Sequence, residues 1–231
     1  MSDTQLIYSG LDVLEALNGA ANYNSLLLDL IVQSAGDRHR MLDFGAGIGT
    51  FSKALRAKGV EVICLESDPY LAEGLTRDGF ETFRHLNEVP DDSFEFIFAL
   101  NVLEHIADDL TTTQRLAAKL KMHGRLLIYV PAFKYLWTSL DDKLKHYRRY
   151  RRADLTALVR SAGLSAWKSG YADSLGVFAA LGFKILGNKS GELSSQAVSL
   201  YDRYVVPLSR RTDSVLGRWM GKNVYVVASK I

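Results

Sequence analysis

At 231 residues, 48% of them hydrophobic and 23% charged, the chain suits one well-packed domain and is too short for two comfortable ones. Four prolines and the lack of any low-complexity run or internal repeat exclude a disordered or fibrous protein. A net charge of +2 gives no bulk field for nucleic acid, and the single cysteine, Cys64, excludes an internal disulfide and a cysteine-rich zinc centre.

Residues Met1 to Gly10 carry an early Asp3 and lack a basic start followed by an apolar core, so no secretory signal is expected and the cytoplasm is the expected location. Leucines and Ile31 recurring at helical spacing predict a lead-in helix over 24–35, capped by Asn24 or Ser25 and stopped by Gly36. From Arg40 the pattern switches to short apolar strands, expected at 41–44, 60–65, 81–86, 94–100 and 125–130. Between them lie amphipathic stretches that predict helices over 50–58, 69–78 and 108–122, each closed by a glycine. A helix over 153–162 and strands over 165–171 and 223–229 follow.

Strand-then-helix alternation requires long crossovers, which favour parallel strands with helices covering the sheet. The expectation is therefore a single α/β domain over 1–231, with a mostly parallel seven-stranded sheet, helices on both faces and a helical lead-in over 1–39. Two segments break the rhythm, 133–152 and 173–222. Both follow strand ends where an open α/β sheet places its ligands, so they are expected to form the substrate side.

The stretch Met41-Leu42-Asp43-Phe44-Gly45-Ala46-Gly47-Ile48-Gly49-Thr50 runs a strand into closely spaced glycines and then a helix. Such a turn lets backbone approach a ligand, and the helix start offers free N–H groups to an anionic group. Asp43 would repel a pyrophosphate but can accept from an ammonium, so a zwitterionic ligand fits better than a dinucleotide. The spacing agrees, since Thr50 stands where the dinucleotide fingerprint GxGxxG would put its third glycine. On the next strand Ile63-Cys64-Leu65 leads to Glu66, placed to accept from ribose hydroxyls.

These residues, with Phe94 to Ile106 (including Leu103-Glu104-His105) and Gly124 to Pro131, resemble the class I S-adenosylmethionine-dependent methyltransferases from about Met41 to Val130, with their Rossmann-like fold. The resemblance implies that Asp43, Gly45, Ala46, Gly47 and Gly49 hold the methionine moiety of S-adenosylmethionine. It places Glu66 and Ser67 at the ribose and Asn101, Val102 and Leu103 near the sulfonium. The usual aspartate beside the adenine is missing, and His85, Leu86 and Asn87 occupy its neighbourhood. Tyr23 is a candidate lid over the cofactor, with plain packing as the alternative.

Methyl transfer is an in-line displacement that positioning alone can largely accomplish, and a base helps where the acceptor is a hydroxyl or a protonated amine. His105 is placed for that role, or with Glu104 for capping the next helix or orienting the loop. The insertion Tyr135 to Tyr150 gathers aromatics, Asp141, Asp142, His146, Arg148 and Arg149, and resembles the D…HxRRY segment of a branch of bacterial methyltransferases, where it borders the active site. The expectation is that His146 and Arg149 face the acceptor and that Asp141 fixes one of them, with a solvated basic helix start as the alternative.

No metal is assigned. The acceptor is expected to be a small molecule, of lipid, sugar or other type, and no nucleic acid is expected. An NAD-dependent oxidoreductase or epimerase, or a non-catalytic S-adenosylmethionine binder, are the other readings. The apolar run 175–187 is too short to span a bilayer and suits a lid, a core helix, a dimer face or weak peripheral membrane contact.

Overall fold

The computed structural model describes residues 11–186 and 194–231. The amino-terminal reading of residues 1–10 and the last residue of the apolar run, Gly187, lie outside them. Two helices lead in, α1 (Leu11–Asn18) and α2 (Ala21–Ala35). Then come β1 (Arg40–Phe44), α3 (Thr50–Arg56), β2 (Glu61–Leu65), α4 (Pro69–Arg77), β3 (Thr82–Phe83), β4 (Phe94–Leu100), α5 (Asp109–Lys119) and β5 (Leu120–Pro131). The remainder is α6 (Ser139–Lys143), α7 (Arg152–Ser161), β6 (Ser165–Ala172), α8 (Gly176–Leu186), α9 (Ser195–Leu200), a π-helical turn (Tyr201–Val205), α10 (Val206–Leu216) and β7 (Asn223–Ser229).

The seven strands form one sheet in the order β3-β2-β1-β4-β5-β7-β6, parallel except for β7, which runs antiparallel to both neighbours. The chain moves outward from β1 to β3 and then returns to place β4 on the other side of β1. That reversal opens a crevice between the carboxyl ends of β1 and β4, where open α/β sheets bind ligands. Both insertions leave the sheet at this same edge, one after β5 and one after β6.

Strand side chains alternate between faces, which makes two cores. Leu42, Ile97, Leu126, Ile128 and Val226 pack with Leu116, Leu155 and Val159 of α5 and α7. Met41, Phe96, Phe98, Leu127 and Val227 pack with Ile31, Leu55 and Leu75 of α2, α3 and α4.

Several boundaries differ from the sequence expectation, three of them for reasons visible in the pairing and hydrogen bonding. The strand expected over 81–86 shrinks to Thr82–Phe83, because Glu88 Oε2 accepts the backbone N–H groups of Arg84 (3.0 Å) and His85 (3.1 Å) and turns the chain out of the sheet. The helix expected to reach Met122 stops at Lys119, since Leu120 already pairs with Phe94 and a bulge follows. The lead-in helix starts at Ala21 rather than Asn24.

The cap of α2 comes from far away in the sequence. Ala20 has no side chain to offer, and Asp202 of the π-helical turn accepts the backbone N–H groups of Asn22 (3.1 Å) and Tyr23 (2.8 Å) instead. A helix start needs such acceptors, and loss of one costs about 1–2 kcal/mol. Asp202→Ala is therefore expected to lower stability by about 1–2 kcal/mol, read in thermal unfolding as about 2–4 °C per kcal/mol. An unchanged melting temperature would remove the cap from the account.

Candidate functional site

The first half of the site is the turn after β1. Gly45 has φ +79°, and a Cβ there would lie 2.5 Å from Val102 Cγ2, so only glycine lets this backbone close against the end of β4. The Gly45 and Ala46 N–H groups donate to the Leu65 carbonyl (2.8 and 3.1 Å), which ties the turn to the end of β2. Glu66 follows directly and accepts from Gly47 N–H (2.8 Å) and Asp68 N–H (2.9 Å). The sequence thus places a carboxylate at the strand end, and the fold aims it at the turn.

Asp43 is buried in the same crevice, its Oδ2 accepting from Ser52 Oγ (2.6 Å). Burial pushes its pKa up from 3.8 to about 7, against the Ser52 bond and with the help of nearby Glu66. Glu66 is raised by burial too, opposed by the N–H groups of Asp68 and Gly47. Two carboxylates in one crevice with raised pKa values make a pocket that favours a cationic group.

Asn101 follows β4 in the left-handed region (φ 54°), its N–H held by the Tyr129 carbonyl at 2.7 Å and its Oδ1 by Asn223 Nδ2 at 3.4 Å. Val102 follows, and Leu103 to His105 form a single 3-10 turn at the crevice mouth. Glu104 and His105 do not cap α5, contrary to one of the roles expected of them, because Asp108 accepts from Thr111 N–H (3.0 Å) and does so itself. Of the residues near the missing adenine aspartate, Leu86 points into the core while His85 and Asn87 are exposed.

The second half is built by the insertion after β5, and each residue of its His-x-Arg-Arg-Tyr run has a defined place. Asp141, 1% exposed, accepts from His146 Nδ1 (2.8 Å) and Arg149 Nε (2.7 Å) through Oδ1. Its Oδ2 accepts from Arg149 Nη2 and Thr138 N–H, both at 2.8 Å. Burial alone would raise the Asp141 pKa, but these bonds and the Arg149 charge pull it well below the usual carboxylate range.

Arg149 spends its remaining Nη1 on the Ala132 carbonyl (3.1 Å), so the guanidinium acts as a brace. Tyr150 reaches Asp109 Oδ2 (2.8 Å) and the Leu103 carbonyl (3.3 Å). Arg148 pairs with Asp109 (2.9 Å). The alternative of a solvated basic helix start is thereby corrected: α7 begins at Arg152, and Arg148 and Arg149 are tied to carboxylates. The expectation that Asp141 fixes one of its two partners is also modified, since it fixes both.

His105 lies edge-on to His146, ring centroids 4.5 Å apart at 87°. His105 Nδ1 meets the Leu144 carbonyl at 3.0 Å. Burial, with His146 beside it, pushes the His105 pKa down to about 4, so the ring is neutral at neutral pH. Beneath them Glu104 is fully buried, and neither of its oxygens has a hydrogen-bond partner. Burial raises its pKa to about 8. The Tyr147 N–H donates to the Glu104 carbonyl (2.7 Å) and joins the insertion to this turn.

A third group of polar residues gave little sign in the sequence. Lys222 Nζ lies 3.1 Å from Asp173 and 3.4 Å from Tyr201 Oη, and Tyr201 donates to Asp173. Its ammonium also sits 5.4 Å from the Tyr23 ring centre, while Tyr23 Oη is 3.3 Å from Tyr129 Oη. Burial opposes the Lys222 charge, but Asp173 overcomes it and raises the pKa. Asp173 Oδ1 and Asn223 Oδ1 are buried acceptors with no hydrogen-bond partner. Of this group the sequence marks only Tyr23, which packs with Leu27 of the lead-in helix and Tyr129 of the sheet.

This geometry meets its counterpart in known proteins. A model of the methyltransferase domain matches residues 19–169, well over half of the chain. The protein belongs to this methyltransferase family. Its cofactor is accordingly S-adenosylmethionine, and its sheet is that of the class I fold.

Among curated relatives, the chain is 30% identical over 146 residues to the biotin biosynthesis bifunctional protein BioHC of Cellvibrio japonicus, covering 55% of this chain and 28% of that protein. It is 25% identical over 148 residues to the ubiquinone biosynthesis O-methyltransferase of Xanthomonas euvesicatoria pv. vesicatoria, covering 54% and 62%. The match thus spans less than two thirds of either relative. A SAM-dependent methyltransferase from Archaeoglobus fulgidus has the same fold, with a TM-score of 0.59 over 90% of this chain and 94% of that one at 14% identity. Among the described residues no helix is long and apolar enough to cross a membrane.

Removing one partner of a buried ion pair strands the other charge, at a cost of about 3–5 kcal/mol. Asp141→Ala should therefore destabilise the fold by roughly that amount in urea unfolding, and Asp141→Ala combined with Arg149→Met should recover most of it. Equal losses in the single and double variants would show that the pair does not carry this stability.

Proposed function

We propose that this protein methylates a small-molecule acceptor, taking the methyl group of S-adenosylmethionine by in-line displacement across the crevice between β1 and β4. The observation that carries this reading is the juxtaposition of two chemically different halves. On one side lie the glycine turn, Asp43 and Glu66, and on the other the Glu104, His105 and His146 group and the Lys222–Asp173 pair. Asn101 and Val102 form the wall between them.

When bound, the cofactor supplies an electrophilic methyl group on a sulfonium. In this reading Asp43 accepts from its ammonium, directly or through water, the turn N–H groups and the α3 start meet its carboxylate, and Glu66 with Ser67 receives the ribose hydroxyls. Asn101, Val102 and Leu103 shape the passage toward the acceptor. His105 and His146 each engage Nδ1 with a backbone or side-chain oxygen, which leaves Nε2 with a lone pair. Those lone pairs are placed to take the proton of an acceptor hydroxyl or amine.

Arg149 acts through Asp141 as a positioning residue. The orphan oxygens of Asp173 and Asn223 suit donor groups on the acceptor, which points to a polar small molecule. Incubating the protein with methyl-labelled cofactor and pooled metabolites and lipids, then identifying the labelled product, tests the proposal. Cofactor binding without labelling of any fraction would leave a binding protein only.

Asp43 adds a pH test. Its folded pKa near 7 lies above the ordinary 3.8, so the folded protein without cofactor holds a proton that the unfolded chain has released between those values. Recognising an ammonium requires the carboxylate, so that proton must leave on binding. Cofactor affinity should fall about tenfold per pH unit below pH 7 and flatten above it. The same sign makes Asp43 lower stability as pH rises from about 4 to 7. Asp43→Asn should therefore hold or raise the melting temperature at pH 8 while weakening binding and flattening its pH profile, both read by calorimetry. A pH-independent affinity in the unaltered protein would exclude Asp43 from ammonium recognition.

A further inference from the structure

Glu104 poses an energetic problem that its surroundings do not solve. It is fully buried, and neither oxygen has a hydrogen-bond partner. An ionised carboxylate in that position is strongly disfavoured unless a positive group meets it. Its nearest charged neighbours do not supply one, because Asp141 already takes the Arg149 guanidinium through two parallel bonds at 2.7 and 2.8 Å.

What does stand beside Glu104 is a pair of imidazoles. One ligand-capable atom from each of Glu104, His105 and His146 falls within 4.8 Å of the others. Metal-binding histidines characteristically give their second ring nitrogen to a carboxylate or a backbone carbonyl, which fixes the tautomer and aims the ligating lone pair. Both arrangements occur here. His146 Nδ1 is held by Asp141 (2.8 Å) and His105 Nδ1 by the Leu144 carbonyl (3.0 Å), so each Nε2 is the atom left for ligation. Asp141 is held in turn by Arg149 and Thr138, which makes the His146 support rigid.

We infer that Glu104, His105 and His146 form a binding site for a divalent transition-metal ion of the zinc class. Two imidazoles and one carboxylate suit a borderline cation better than magnesium or calcium, which prefer all-oxygen shells. Three protein ligands leave coordination open, as in catalytic rather than structural zinc sites. The inference rests on the acceptor approaching this edge of the crevice, and it deepens that reading: an acceptor oxygen on the open position would lose its proton more easily as a Lewis-acid ligand than to imidazole alone. It also narrows the acceptor to molecules with a ligating oxygen.

The test begins with chelator-treated full-length protein. Zinc titration by calorimetry should give one equivalent per chain, and cobalt should give the visible d–d absorption of a tetrahedral or five-coordinate site. Glu104→Gln and His146→Gln should each weaken zinc binding by at least about a hundredfold, more than loss of an outer-shell partner would. Circular dichroism and melting of each variant separate lost ligation from lost folding, and His105→Gln, nearer the surface, serves if either fails to fold. Binding of no stoichiometric metal by the unaltered protein, or equal affinity in folded variants, would overturn the site. S-adenosylmethionine binding is measured in parallel on the metal-free protein. Its absence would sink the methyltransferase reading while leaving the metal result standing, and cofactor binding by a protein that takes up no zinc would sink the site alone.

Discussion

The ligand side of this sheet depends on one seam, where the turn after β1 closes against the ends of β2 and β4. Gly45 makes the closure sterically feasible against Val102, and the Leu65 carbonyl fixes it by taking two successive N–H groups. Glu66 then reaches back to Gly47 from the adjoining strand. A side chain at position 45 would push β4 away and with it Asn101, Val102 and the Leu103 to His105 turn. The turns after β1, β2 and β4 are thus held against one another, which explains how residues from these three strands can share one crevice without an intervening loop.

The insertion after β5 has its own keystone in Asp141. The carboxylate orients an imidazole, neutralises a guanidinium and closes the start of α6 through Thr138. Polar groups this deeply buried hold a structure well only when every member is satisfied. By that criterion the braces around Asp141 are complete, while Glu104, Asp173 and Asn223 retain unmet oxygens at the crevice.

Much of this was legible in the residues themselves. Periodicity placed all seven strands, and the glycine spacing marked the turn after β1 that Glu66 reaches back to, because those signals are local. The HxRRY run singled out the insertion after β5, but sorting its members needed tertiary structure. Nothing in sequence order shows that Arg149 turns inward to Asp141 while Arg148 pairs with Asp109. The pairing of His105 with His146, 41 positions apart, and the meeting of Lys222 with Asp173 and Tyr23 are long-range outcomes of the same kind. β3 fell short of its expected length because one glutamate competed for two backbone donors, a contest that propensity does not register.

The reach of Asp202 to the start of α2 has a consequence for how the chain comes to be folded. About 180 positions separate the acid from the N–H groups it receives, so during synthesis the lead-in helix emerges long before its cap exists. Closing a loop of that size must wait for the sheet to bring both ends together. The helix that carries Tyr23 is therefore completed late, with the carboxyl-terminal quarter of the molecule. A truncated or stalled chain would carry the glycine turn and Glu66 yet lack a finished wall on the opposite side.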